Sequence, residues 1–132
     1  MFRRRRLPEH LDGPYRAFGA IVPPLERAKA ALTESVPGTR MPGRPLAETL
    51  LEFEEGLREV AAGMDAWRTP EVEEAWAGAS AGLEEARSLA ERVRTEAPPP
   101  VGFEGLIGLI GDLLAPLEGF AVAAEAFGEL RQ

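Results

Sequence analysis

The side chains able to do chemistry are few and dispersed. The hydroxyls are Tyr15, Thr33, Ser35, Thr39, Thr49, Thr69, Ser80, Ser88 and Thr95, and the one histidine is His10. Nucleophilic catalysis needs a general base fixed beside its nucleophile. His10 lies in an N-terminal arm, a poor place to hold such geometry. The absence of cysteine removes a thiol nucleophile, a disulfide framework and a thiolate zinc site. Carboxylate-bridged di-metal bundles need inward glutamates and Glu-x-x-His motifs. This chain has no such motif, and its glutamates fall mostly outside the apolar stripes. No Gly-rich phosphate loop follows a strand, because no strand is predicted. The expectation is a non-enzymatic protein with no metal and no cofactor.

Charge is the one property that is concentrated. Residues 1–44 carry nine basic and four acidic side chains, and residues 45–132 carry six basic and eighteen acidic, for a net charge of −7. An acidic body argues against nucleic-acid binding through it. The basic excess centres on Arg3, Arg4, Arg5 and Arg6, in an arm over residues 1–13 that is expected to be flexible, with Leu7-Pro8 stopping any helix. Three roles compete for the arm: a solvated terminus, a contact with the acidic surface of this chain or a neighbour, or attraction to anionic lipid or nucleic acid. Arg40 and Arg44 sit in the VPGTRMPGR loop, which is either plainly solvated or a small anion site using both guanidiniums. The apolar run required of a signal peptide is broken by Pro8, Glu9, His10 and Asp12, so the default location is cytoplasmic.

The elements that would position these groups are helices. Residues 14–132 are expected to form one domain, large enough for a core. Tyr15, Phe18, Ile21 and Val22, then Leu25, Ala28, Leu32 and Val36, mark a first helix kinked or broken at Pro23-Pro24. Leu46, Leu50, Phe53, Leu57, Val60, Met64 and Trp67 alternate by four and three, the period of a packed helix. Arg68-Thr69-Pro70 is a tight turn with Thr69 as N-cap. Val72, Trp76, Ala79, Leu83, Ala86, Ala90 and Val93 repeat the alternation in a third helix. Its small residues admit a close neighbour or leave room for aromatic rings. Glu54/Arg58, Glu84/Arg87 and Glu91/Arg94 have salt-bridge spacing.

The last stretch, Val101 to Arg131, is strongly apolar and predicts one long helix around which the others pack. Phe103, Leu106, Ile110, Leu113, Leu117, Phe120, Ala124 and Phe127 give its buried stripe, which Ile107, Leu114 and Ala121 widen. Glu104, Glu118, Glu125 and Glu129 fall to one flank, and Pro116 is expected to kink the helix near Asp112. Gly105, Gly108, Asp112, Ala115, Gly119, Ala123 and Ala126 form a small-residue back face. That face is a plain solvated surface, a close approach to another helix of the same chain or a second copy, or an interfacial membrane surface. Together these stripes predict an all-α, antiparallel four-helix bundle.

Trp76-Ala77-Gly78 resembles the Trp-x-Gly signature of a family of small secreted helical hairpins. In that family the motif lies in the hairpin turn, whereas here it falls inside the third helix. The resemblance covers three residues and implies nothing further for this chain.

The leading functional expectation is a protein–protein interaction or self-association module. Gly105, Gly108, Ala115, Gly119 and Ala123 are its candidate interface, and the partner is another protein or a second copy. The first alternative is a peripheral membrane-surface protein using the Arg-rich arm and the last helix. The second is a small-molecule carrier with a cavity between helices.

Overall fold

The computed structural model describes residues 6–38, 42–96 and 98–131. All regular structure among them is helical: α1 (Asp12–Thr33), α2 (Leu46–Ala62), α3 (Glu73–Thr95), α4 (Gly102–Leu114) and α5 (Gly119–Glu129). One 3-10 turn, Ala115–Glu118, joins α4 to α5, so the two form a single fourth rod. The result is an antiparallel four-helix bundle in which α1 packs on α2, α2 on α3, and α3 on the fourth rod.

The first helix is not broken. α1 runs without interruption through Pro23 and Pro24. Proline there removes the bonds to the carbonyls of Gly19 and Ala20, and both residues are exposed to water. The helix persists because Phe18, Ile21, Leu25, Ala28 and Leu32 are buried in the shared core. Gly56 makes the α1–α2 crossing close: a Cβ there would stand 2.7 Å from the Ala28 Cβ and 3.0 Å from the Pro24 carbonyl oxygen. Helical structure also starts earlier than Pro14. A 3-10 turn at Glu9–Leu11 precedes α1, and Leu11 is buried.

The second stripe is buried from Leu50 to Trp67, with Leu46 half-covered. A 3-10 turn at Asp65–Trp67 carries Trp67 inward after α2 has ended. Thr69 occupies the predicted N-cap position but makes no capping bond; its buried Oγ1 has no partner among the described residues. α3 buries Ala79, Leu83, Ala86 and Ala90. Of the predicted ion pairs, Arg87 does bond Glu84 at 2.9 Å, but Glu54 bypasses Arg58 and takes Arg94 of α3 at 2.6 Å.

The small residues of α3 admit the fourth rod. A Cβ on Gly82 would overlap the Pro116 carbonyl, and one on Gly119 would lie 3.0 Å from the Ala79 backbone. The rod enters this crossing after Pro98, Pro99 and Pro100, through Gly102, whose φ of +71° is one that L side chains rarely adopt. At its far end Trp67 gathers Phe18, Phe120 and Phe127, with ring centroids 4.9, 6.5 and 6.2 Å away.

Candidate interaction surface

The apolar face of the fourth rod is wider than the bundle covers. Ile110, Leu113, Leu117, Phe120, Ala123 and Phe127 are buried, but Phe103 is 59 % and Ile107 43 % exposed. Over the 28 residues Gly102–Glu129 the most apolar window has a mean hydropathy of 1.7, yet only 28 % of that window is buried. The uncovered flank is Phe103, Ile107, Gly111 and Ala121, with Leu114 half-buried among them, spaced to fall beside the buried stripe.

The cause is the packing of the bundle's fourth side. α1 and the rod meet only lightly, and a groove of about 710 Å³ runs between them. Its α1 wall is Phe18, Ile21, Val22 and Leu25, and its rod wall includes Gly111, Leu114, Leu117, Phe120 and Ala121. Glu118 and Glu125 rim the rod side, and Glu26 and Lys29 rim the α1 side. Lys29 pairs with Glu26 at 3.6 Å, whereas Glu118 and Glu125 make no ion pair among the described residues. Between Arg94 and Arg131 the sequence holds no basic residue.

The expected interface residues are divided by this arrangement. Gly119 and Ala123 are taken up within the chain, Gly119 against Ala79 and Ala123 fully buried, so they are not offered to a second copy. Gly105 is half-buried beside Pro100 of its own chain. Gly108 and Ala115 face solvent, and a Cβ on Gly108 would meet nothing within 4 Å. The α1 wall, Val22 in particular, is the part that sequence reading did not assign to a site. By spacing Val22 belongs to the apolar stripe of α1, yet it is 37 % exposed beside the buried Ile21 and Leu25.

Among the candidate arginines, Arg3, Arg4, Arg5 and Arg40 lie outside the described residues. Arg6 is exposed and shares a surface hollow with Asp12, Tyr15 and Arg131. Arg44 is already engaged. Its guanidinium bonds Glu48 at 2.7 Å and also bonds Glu34 and Glu52, while its backbone N–H donates to the Glu34 carbonyl at 2.9 Å. Three carboxylates around one cation leave a net negative cluster, unfavourable for an added anion. The Arg44 hydrogen bond, aided by its charge, holds the Glu52 carboxyl below its ordinary value of 4.5.

A pH dependence follows. A lowered folded-state value means that Glu52 contributes stability above its ordinary titration range and loses it as pH falls through the folded value. Between neutral pH and about pH 3, wild type is therefore expected to lose more stability than Glu52→Gln, in urea titrations at each pH. Equal losses in the two proteins refute it.

The Trp-x-Gly segment has a structural role in this fold. The Trp76 Nε1–H donates to the Met64 carbonyl at 2.8 Å, and the Arg68 guanidinium lies 4.0 Å from the Trp76 ring centroid while bonding Glu73. Trp76 thus ties α3 to the turn that follows α2. His10 reaches Glu71 at 3.4 Å, an exposed contact.

No family model matches this chain, and no curated protein or solved structure matches it either.

Proposed function

We propose that the protein is a non-enzymatic protein–protein interaction module that works through the uncovered flank of its fourth rod. One observation carries the reading: on this apolar rod Phe103 is 59 %, Val122 55 % and Ile107 43 % exposed. Contiguous exposed apolar surface on a helical domain marks a place where something else docks. In pure solution the available partner is a second copy, and self-association is expected to be weak because Glu104, Glu118 and Glu125 accompany the flank. Screening those charges should favour it.

Light scattering after size exclusion, at micromolar concentrations, tests this. The dimer fraction is expected to rise with salt and to vanish in Ile107→Asp. A strict monomer at every salt concentration, the same as the variant, overturns the reading.

One observation favours a second reading, insertion of the rod into a bilayer: Gly102–Glu129 is long and apolar enough to span one. Against it stand Glu104, Asp112, Glu118, Glu125 and Glu129, with no basic residue among them. An acid at mid-bilayer costs about 2.5–3.5 kcal/mol on insertion scales, and anionic headgroups repel all five. For the carrier reading, the rod fills the space beside Ala79 and Gly82 of α3 and leaves a surface hollow of about 660 Å³ beside Ala75 and Gly78.

A further inference from the structure

We propose that the groove between α1 and the fourth rod is the docking site for a basic amphipathic helix of a protein partner. The proposal rests on the interaction reading above and specifies the partner's chemistry. Three properties of the groove select it. The first is length: the rod wall runs from Gly111 to Glu125, about 20 Å at the rise of an α-helix. That matches about four turns of a partner helix.

The second is the floor. Phe18, Ile21, Leu117 and Phe120 belong to the core and also line the groove. A helix laid there would add its apolar stripe to the existing core, the groove-docking mode of amphipathic helices. The third is charge. Glu118 and Glu125 stand seven residues apart, one heptad, so cationic side chains at heptad spacing beside the partner's apolar stripe would meet both. Lys29 is taken by Glu26 on the opposite rim, and no basic residue of the rod neutralises the acids. A second copy's rod would bring the same acids to the contact, so it is the weaker occupant. Anionic lipid is repelled for the same reason.

The test uses the full chain and a fluorescent synthetic peptide of about 18 residues, near five turns, with leucines along one stripe and arginines one heptad apart. A second peptide carries glutamate in place of arginine. Fluorescence anisotropy should show binding of the basic peptide and little of the acidic one. Glu118→Lys/Glu125→Lys should reverse that preference by at least about fivefold, the scale of two exposed charge pairs changed in sign. Val22→Asp should abolish binding of both peptides, and Glu55→Lys/Glu96→Lys, on α2 and beyond α3, should change neither. Far-UV circular dichroism confirms that each variant is folded.

Equal binding of the two peptides, lost in Val22→Asp, overturns the charge selection while keeping the flank as a docking surface. An equal effect of the Glu55/Glu96 reversal also overturns the proposal, because binding is then unspecific attraction. Flotation with neutral phosphatidylcholine vesicles that displaces the basic peptide overturns it in favour of lipid. Absence of binding by either peptide overturns it as well, and together with a strict monomer at all salt concentrations removes the interaction reading too.

Discussion

Trp67→Ala is expected to destabilise the protein by about 3–5 kcal/mol, the cost of deleting a fully buried large aromatic. Domains of this size are stable by only about 5–15 kcal/mol, so the change removes a large part of the folded population's margin. Trp67 is wholly buried and touches rings from three other elements: Phe18 of α1, Trp76 of α3, and Phe120 and Phe127 of α5. Its loss opens a cavity where all four rods converge. The position has a second property, since the Trp67 indole N–H is buried with no acceptor among the described residues. An unmade bond of this kind costs about 1–3 kcal/mol. Trp67→Phe keeps an aromatic ring, removes the orphaned donor, and is expected to cost well under half as much as Trp67→Ala. Urea unfolding midpoints of the three proteins decide it; a Phe variant as unstable as the Ala variant refutes the cavity account.

Gly82→Ala is expected to destabilise, and Gly78→Ala to stabilise, although both glycines lie inside α3. Alanine is the better helix former by about 0.5–1 kcal/mol. At Gly78 the new methyl meets nothing within 4 Å, so the propensity gain is kept. At Gly82 it collides with the Pro116 carbonyl, a backbone group that moves only if the fourth rod moves with it. Overpacking of this kind costs about 1–3 kcal/mol, more than the propensity gain. Thermal melts of the two variants should therefore shift in opposite directions. The same sign at both positions would mean that the α3–rod crossing yields easily, and with it the close packing through Gly119 and Ala79.

Much of this architecture is legible in the residues. The alternation from Leu46 to Trp67 and from Val72 to Val93 gives two rods and their buried faces, and Pro98 to Pro100 marks the link to the last. Where the structure departs from the stripe, the cause is local. The spacing of the fourth rod's stripe points to Ala124, but Ala123 is the buried residue. Between Ala115 and Glu118 the helix tightens to 3-10 form, advancing about 120° per residue in place of about 100°. Four residues of tighter winding turn α5 far enough to bring Ala123 inward and Ala124 out.

The open groove was partly visible and partly not. Ile107, Leu114 and Ala121 stand in the sequence as a widening of the apolar face. Whether a neighbour covers that widening depends on the angle at which α1 meets the rod, a relation between segments nearly a hundred residues apart that no local period encodes. The Arg44 cluster was hidden for a similar reason. Glu48 and Glu52 follow it at helical steps, but Glu34 arrives only because the loop folds back to bond Arg44 through the backbone.

The acids beside the uncovered flank have a colloidal consequence. Any two copies of this protein would meet with exposed apolar side chains, and a net charge of −7 opposes their approach near neutrality. That barrier belongs to the medium as much as to the fold: it shrinks with ionic strength and vanishes near pH 4.8, where the chain is neutral overall. Acidification thus removes the repulsion between copies first, and only at lower pH, as Glu52 protonates below its ordinary range, does it loosen the Arg44 clasp within each copy.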